Sequence, residues 1–223
     1  MPTPPQQEHL ADFAAALRPR LAGDLRLDPM SRALYATDAS MYQIEPVGVL
    51  LPRHTDDVRA AVEAAAEFGL PVLPRGAGSS LAGSAVGAAL VIDTSRWLDE
   101  VVEVDPEART ARVQPGAVLD GLNAALLPHG LQFGPDPASS NRCTLGGMIG
   151  TNATGTHSIR YGSVVDHVVQ AEALLPDGTA VTFRELDAAG WRQKLRRDGA
   201  EGRLYRDLDA LLAEAAPAIR EHT

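Results

Sequence analysis

The stretch that decides the fold is Pro74-Arg75-Gly76-Ala77-Gly78-Ser79-Ser80-Leu81-Ala82-Gly83. It directly follows a predicted strand over residues 71–74, and its glycines leave the backbone largely uncovered by side chains. A loop of this kind exposes successive backbone N–H groups, which can bind a diphosphate. The sequence therefore predicts a phosphate-binding loop at this point. A flexible surface connection is the alternative interpretation.

A nicotinamide-binding fold is a second alternative, because the first two glycines match the fingerprint GxGxxG. Asp93 could then serve as the acidic residue that follows about 20 positions later. The match fails because Leu81 stands at the third glycine of the pattern. It also fails because the short, glycine-interrupted interval 79–88 leaves no room for the helix that this fold requires.

A second glycine-rich stretch, PDPASSNRCTLGGMIGTNATG, covers residues 135–155. About twenty residues without regular structure are usually functional when they lie inside a compact domain. The hydroxyl and amide side chains of this stretch supply hydrogen-bond donors and acceptors, and its glycines allow close approach of the backbone. Together the two stretches favour a large ligand with phosphates and a planar heterocycle over a metal ion or a small acid.

Hydrophobic periodicity predicts a mixed architecture. A strand at 47–51, a helix from Thr55 to Gly69 and a strand at 71–74 predict a parallel βαβ unit. Alternating patterns predict two antiparallel hairpins, at 102–113 and 169–183. The remaining predictions are helices at 8–22, 117–127 and 204–216, a buried strand at 89–93, and irregular chain at 23–46.

The composition of the chain excludes several classes of binding partner. The 223 residues carry 20 Lys and Arg against 29 Asp and Glu, a net charge of −9, which argues against nucleic acid and against a basic membrane-docking patch. The single cysteine excludes a disulfide framework and a cysteine-built metal site. With no apolar stretch long enough for a signal peptide or a membrane span, we expect a cytoplasmic protein. Peripheral attachment at the inner membrane face stays open for the full-length protein.

Five motifs in order resemble one family. They are PRGAGSSLAG (74–83), VQPG (113–116), FGPDPASSNRCTLGGMIGTNATGTHSIRYG (133–162), DHV (166–168) and LLPDG (174–178). In order and spacing, over residues 42 to about 216, they resemble the FAD-binding PCMH-type domain of the vanillyl-alcohol oxidase superfamily. Within it the chain is most similar to FAD-linked 2-hydroxyacid dehydrogenases of the glycolate oxidase and D-lactate dehydrogenase type. Residues 150–168 resemble the large members that join a flavin half to an iron–sulfur half.

The resemblance implies an α+β fold in two parts, a small parallel βαβ part and an antiparallel sheet with flanking helices, with FAD between them. It divides the chain into a helical leader at 1–41 and the flavin domain at 42–223. Family members continue with a further strand and a substrate-capping domain. We therefore expect this chain to be the N-terminal part of a longer protein and to be inactive alone.

The resemblance also implies which residues bind FAD. The first loop would surround the pyrophosphate, and the second stretch would line the ribityl chain and the flavin. The implied cofactor residues are Arg75, Gly76, Ala77, Gly78, Ser79, Ser80, Leu81, Pro137, Ser139, Ser140, Thr144, Gly147, Thr151 and Asn152. FAD is expected to be non-covalent, because Ser79 stands where members that tether the flavin through this loop carry a histidine. No metal site is expected, and the catalytic base is expected in the capping domain.

The implied function is oxidation of a 2-hydroxy acid of the lactate, glycolate or 2-hydroxyglutarate type, with hydride transfer to flavin N5. Electrons would pass to an iron–sulfur, quinone or cytochrome acceptor, and any iron–sulfur cluster would lie in the part beyond Thr223. Two alternatives remain open: a reductase of the enolpyruvyl-glucosamine type, which lacks the long second pattern, and a flavin-binding subunit without catalysis.

Four other features carry weaker expectations. His157 is expected in a structural hydrogen bond or in solvent, and Arg160 either binds a substrate carboxylate or pairs with a neighbouring acid. Cys143 has no base beside it in sequence and is expected to be inert. A basic cluster is expected to form a solvated face: Arg192, Lys194, Arg196 and Arg197.

Overall fold

The computed structural model describes residues 7–222. The chain falls into two compact units, Met1–Val168 and Val169–Thr223. The first unit begins with a four-stranded sheet in the order β1-β2-β4-β3. Its elements are α1 (Gln7–Leu17), β1 (Asp24–Arg26), α2 (Pro29–Leu34), β2 (Gly48–Leu51), α3 (Thr55–Glu67), β3 (Val72–Arg75) and β4 (Leu90–Asp93).

The parallel part of this sheet confirms the predicted strand–helix–strand unit. β2 and β3 are both parallel to β4, which lies between them. Every residue of β2 and β4 is buried, which explains why both strands are continuous apolar runs. Leu50, Leu90 and Ile92 join one hydrophobic cluster with the small residues of α3.

The start and end of α3 have local causes. Asp57, which is buried, accepts hydrogen bonds from the backbone N–H groups of Ala22, Arg53 and His54 at 2.8 to 3.3 Å. This carboxylate therefore satisfies donors at the helix start and also anchors the preceding chain. At the other end Gly69 adopts φ +64°, a left-handed conformation that ends the helix.

The prediction of irregular chain over 23–46 was wrong for β1 and α2, whereas residues 35–46 contain no helix or strand. β1 pairs antiparallel with β2, and α2 begins at the N-cap Asp28, whose carboxylate accepts from Ser31 N–H. Phe13 and Leu17 of α1 are fully buried in the cluster that α3 lines. A three-residue strand is too short to show periodicity, and its pairing with β2 decides its conformation. The division into a leader at 1–41 and a flavin domain at 42–223 remains a prediction. Residues 1–6 and 223 of these two segments lie outside the described residues.

The rest of the first unit is built around a second apolar cluster. The predicted hairpin is present as β5 (Val101–Asp105) and β6 (Thr110–Val113), followed by α4 (Leu119–Leu126). Two short helices then follow, α5 (Leu145–Gly150) and α6 (Ser158–Tyr161), and a 3-10 turn spans Val164–His167. Leu119, Met148 and Val164 from these segments are all buried in the second cluster.

The second unit holds the other predicted hairpin, β7 (Gln170–Leu174) and β8 (Ala180–Arg184), as a separate two-stranded sheet. It ends with α7 (Ala188–Leu195) and α8 (Gly199–His222). The solvated-face prediction was wrong for Lys194, whose side chain is 17% exposed. Lys194 and the exposed Arg197 both bind the buried carboxylate of Glu201. Although burial opposes it, these two partners hold the pKa of Glu201 below its usual value.

Candidate cofactor site

The first glycine-rich loop connects two neighbouring parallel strands. β3 ends at Arg75, opposite Asp93 of β4, and residues 76–89 make the connection without any helix. Among the described residues, the backbone N–H groups of residues 77–81 find no protein acceptor. Gly78 adopts φ +64°, which turns the backbone at the centre of this run. The loop therefore offers a series of free amide donors, as the sequence predicted for a phosphate-binding loop.

Arg75 is half-buried beneath this loop, at the end of β3. Its Nη1 donates to the carbonyl oxygens of Tyr35 at 3.2 Å and Ala85 at 2.9 Å, and its Nη2 donates to that of Thr37 at 2.9 Å. The guanidinium carbon also lies 5.1 Å from the centre of the Tyr35 ring. The side chain predicted to contact cofactor is thus engaged by backbone oxygens on two sides of the loop.

The segment after α2 supports the loop through two further contacts. Ala39 N–H donates to the carbonyl of Gly78 at 2.9 Å, and Ala85 N–H donates to Asp38 Oδ2 at 3.2 Å. Although burial acts against it, hydrogen bonds from Ser40 and Ala85 lower the pKa of Asp38 and keep it ionised. Sequence analysis missed this segment, because its residues carry no motif and contact the loop only in the folded chain.

Asp93 is not available as the acidic residue of a dinucleotide fold. Its Oδ2 accepts from the Tyr35 hydroxyl at 2.6 Å, and its Oδ1 accepts from the N–H and hydroxyl of Ser95 at 2.8 and 2.6 Å. The carboxylate is buried in this arrangement. Its role is structural, which agrees with the rejection of the nicotinamide fingerprint.

The two glycine-rich stretches meet at Gly76 and Thr144. A Cβ on Gly76 would lie 2.0 Å from Thr144 Oγ1, far inside van der Waals contact. Thr144 is only 2% exposed, so this is a packed contact. The start of the first loop and the middle of the second stretch therefore form one continuous surface.

The second stretch is better ordered than its composition predicted. Thr144 caps α5, its side chain accepting from Gly147 N–H, and it forms a single bridge with Val118. Gly146 N–H donates to the carbonyl of Pro115 at 2.8 Å, and a Cβ on Gly146 would lie 2.9 Å from that same oxygen. The expectation of twenty structureless residues was wrong, because a capping threonine and backbone bonds to the 113–116 motif fix a short helix here.

The other predicted cofactor residues of this stretch have local roles in the structure. Ser139 accepts backbone hydrogen bonds from Arg142 and Cys143, and Ser140 N–H donates to the carbonyl of Pro137. The Thr151 hydroxyl donates to the carbonyl of Gly147 at 3.0 Å. These contacts shape the stretch, and direct binding of a cofactor by these residues remains a prediction.

Asn152 has a more specific structural role. It adopts φ +44°, a conformation that asparagine tolerates better than most residues, and its Oδ1 accepts from Val165 N–H at 2.9 Å. Its side chain therefore holds the start of the 3-10 turn at Val164–His167. A cofactor contact by this residue would involve its remaining amide or backbone groups.

An open pocket of about 350 Å³ lies beside the second stretch, lined by Gln132, Thr156, His157, Ile159, Arg160 and Tyr161. His157 Nδ1 lies 3.7 Å from Asp136 Oδ2, too far for a hydrogen bond, and its side chain is 48% exposed, which matches the solvent-exposed alternative expected for it. The Arg160 guanidinium lies 5.5 Å from the centre of the Tyr161 ring. No acidic side chain among the described residues pairs with Arg160, and binding of a substrate carboxylate by Arg160 stays a prediction.

Cys143 is buried, and burial raises the pKa of its thiol. Its Sγ lies 3.6 Å from Met148 Sδ inside the second apolar cluster. This environment agrees with the expectation of an inert thiol. Among the described residues there is no group of three His, Cys, Asp or Glu side chains that could hold a metal ion, and none of the helices at 7–222 is long and apolar enough to span a membrane.

The chemistry of this surface fits a flavin dinucleotide. The free amides of the first loop and the hydroxyl of Ser79 are donors, which suit the oxygens of a diphosphate. The Ser80 hydroxyl donates to Ser84 Oγ at 3.2 Å and accepts from Ala82 N–H, so it shapes the loop. The glycines of both stretches let the backbone approach a large planar ligand closely.

Comparison with known proteins gives the same result. The FAD binding domain family matches residues 46–184. D-2-hydroxyglutarate dehydrogenase of Pseudomonas putida is 37% identical over 87% of this chain and 20% of its own length. Glycolate oxidase subunit GlcD of Escherichia coli K12 is 34% identical over 74% of this chain and 34% of its own length. The chain thus spans between a fifth and about a third of these relatives.

Two solved structures share the fold. Alkyldihydroxyacetonephosphate synthase has a TM-score of 0.71 at 26% identity, over 85% of this chain and 37% of that one. p-Cresol methylhydroxylase has a TM-score of 0.70 at 17% identity, over 79% of this chain and 36% of that one. At this identity the similarity supports a shared fold only. The expected α+β flavin-domain architecture and the FAD cofactor are confirmed. With a family match that covers more than half of its residues, the chain belongs to the FAD binding domain family, of the vanillyl-alcohol oxidase and PCMH type.

Proposed function

We propose that this chain is the FAD-binding part of a flavin-dependent oxidoreductase that oxidises a 2-hydroxy acid. The observation that carries the proposal is the packing of Gly76 against Thr144, which joins an amide-rich loop to a hydroxyl-rich stretch in one surface. Relatives named for D-2-hydroxyglutarate, glycolate and D-lactate support the substrate class, at 30 to 37% identity.

Within this proposal the first loop binds the diphosphate. The amides of residues 77–81, including that of Ser80, donate to its oxygens, with Ser79 adding a hydroxyl donor. Thr144 closes the loop from the side of the second stretch. The remaining proposed cofactor residues of that stretch are Pro137, Ser139, Ser140, Gly147, Thr151 and Asn152.

Bound FAD would supply an acceptor for the hydride of the substrate α-carbon. The chain's own contribution is to hold and orient that cofactor, and we assign no catalytic base to it. The proposal also includes an iron–sulfur, quinone or cytochrome electron acceptor. It further includes a cytoplasmic location, which a single buried cysteine without a disulfide supports.

The test uses the full-length gene product. The purified protein is mixed without oxygen with D- and L-lactate, glycolate, and D- and L-2-hydroxyglutarate, and bleaching of the flavin absorbance is followed. At least one 2-hydroxy acid is expected to bleach the flavin, and oxygen or an acceptor dye should restore the colour. A protein that carries FAD but is bleached by none of these acids would overturn the proposed reaction, and a protein that binds no FAD would overturn the whole proposal.

A further inference from the structure

Arg75 joins the end of β3 to two other parts of the chain around the first loop, residues 35–37 and Ala85. Its three acceptors are the carbonyls of Tyr35 at the end of α2, of Thr37 just beyond it, and of Ala85 on the far side of the loop. The first two lie 40 and 38 residues away in sequence. A single side chain therefore ties the loop to a segment that would otherwise be free to move away from it.

Three of the five guanidinium N–H donors of Arg75 are bound to backbone carbonyls. A guanidinium has five N–H donors, two of them on each terminal nitrogen. Both hydrogens of Nη1 are taken by Tyr35 and Ala85, and one of those on Nη2 is taken by Thr37. The Tyr35 ring lies against the same group. The Nε–H and the second hydrogen of Nη2 remain, and turning the guanidinium to present more than these to a phosphate would break bonds that now hold the loop.

The loop backbone also packs directly on the guanidinium. A Cβ on Gly78 would lie 2.6 Å from Nη2 and 3.0 Å from Cζ of Arg75. The carbonyl of Gly78 meanwhile accepts from Ala39 N–H at 2.9 Å. The left-handed turn at Gly78 is thus held by two contacts, one with the Arg75 guanidinium and one with Ala39 in the chain after α2.

We infer that Arg75 is a positioning residue, whose guanidinium holds the 76–85 loop in the conformation that presents its amides, rather than a direct ligand of the diphosphate. The expected effect of Arg75 on FAD affinity rests on the proposed function, whereas its effect on the conformation of the loop does not. A lysine in this place keeps the charge but loses the planar fork that reaches several carbonyls at once. The Arg75→Lys variant therefore separates the two roles.

The experiment measures backbone amide exchange in the FAD-free protein. In Arg75→Lys we expect exchange of the two hydrogen-bonded amides that join the loop to the segment after α2, those of Ala39 and Ala85, to rise by about tenfold or more, the effect of losing a charged hydrogen bond. FAD affinity, titrated by flavin fluorescence, should fall by a similar factor. The matched control is Arg206→Lys, because Arg206 Nη1 also donates to two backbone carbonyls, those of Leu195 and Arg197, in a segment with no proposed cofactor residue.

A direct phosphate ligand would behave differently. It would leave loop exchange unchanged in the FAD-free protein and weaken only FAD binding, and that result would overturn the inference. Unchanged exchange with unchanged affinity would overturn it equally. If Arg75→Lys does not fold, Arg75→Gln is measured in the same way, and loop exchange equal to the parent again decides against positioning. Should the parent bind no FAD, the proposed function fails while the exchange data still decide the role of Arg75.

Discussion

The Tyr35 hydroxyl donates a hydrogen bond of 2.6 Å to Oδ2 of Asp93, and so joins the end of α2 to the end of β4. Burial, followed by this bond, raises the pKa of the Tyr35 phenol far above its usual value of about 10. The folded protein therefore keeps the phenol proton at a pH where the unfolded chain has lost it. The stabilisation is complete below about pH 10 and is lost progressively as the pH rises above it.

Tyr35→Phe should accordingly show a pH-dependent loss of stability. We expect the free energy of unfolding to fall by roughly 1–2 kcal/mol at pH 7, because a charge-assisted hydrogen bond is removed. The difference from the parent should shrink above pH 10, where the parent itself weakens. Urea unfolding at pH 7, 9 and 10.5 measures both. Tyr42→Phe, in a half-exposed ring, is the control and should change little, whereas a difference that stays constant over this pH range would contradict the account.

Gly76→Ala should disturb the join between the two glycine-rich stretches. Its Cβ would stand 2.0 Å from Thr144 Oγ1, so Thr144 must move, at a cost of about 1–3 kcal/mol of unfolding free energy. FAD affinity should fall along with stability. Gly87→Ala is the matched control in the same loop, because a Cβ there would lie 3.4 Å from Leu73 Cδ2, an ordinary contact. Equal FAD affinities and melting temperatures for the two variants would remove Gly76 from the site.

Gly78→Ala separates backbone strain from loss of the loop's shape. Gly78 and Gly69 share φ +64°, so alanine at either position costs about 1–2 kcal/mol of conformational strain. A Cβ on Gly69 would meet nothing within 4 Å, whereas one on Gly78 would meet the Arg75 guanidinium. We expect Gly69→Ala to lower stability without changing FAD affinity, and Gly78→Ala to lower both. Fluorescence titration gives the affinities, and a Gly78→Ala variant that binds FAD as Gly69→Ala does would refute the pyrophosphate assignment.

The flavin should be released by acid, because Ser79 offers a hydroxyl and no imidazole nitrogen at the place where tethering relatives carry histidine. Cys143, the single cysteine of the chain, is buried and its pKa is raised by burial. Acid precipitation of the flavin-loaded protein should leave all yellow colour in the supernatant. Ser79→Ala serves as control and should give the same result. Flavin fixed to the washed pellet would disprove non-covalent binding.

Local patterns predicted most of the fold. β2 and β4 were predictable because strands buried on both faces are continuous apolar runs, and both hairpins because alternating residues flank a turn. The exposed amides of the loop after β3 were predictable because its glycines directly follow a strand, while phosphate binding by this loop stays a prediction. Each of these features is encoded within a few neighbouring residues.

The support of the site was not predictable in this way. Arg75 was expected beside the cofactor because it belongs to the motif, but its partners Tyr35 and Thr37 come from a stretch without periodicity. The contact between Gly76 and Thr144 likewise joins residues far apart in sequence. A helix inside the second stretch was missed because glycines hide the helical pattern, while the Thr144 cap that starts it acts through geometry.

The bonds from Arg75 to Tyr35 and Thr37 also bear on the order in which the protein folds. Contacts that close a long loop of chain carry an entropic cost that must be met before they stabilise anything, so they tend to form late. The pairing of Gly48 in β2 with Leu90 in β4 closes a loop of similar length, so neither contact is local. The loop acquires its shape only when both the sheet and the chain after α2 are in place. A chain that began at residue 42 would retain the glycines of the motif but lack both of these carbonyls, and Arg75 would keep only its bond to Ala85 to hold the loop.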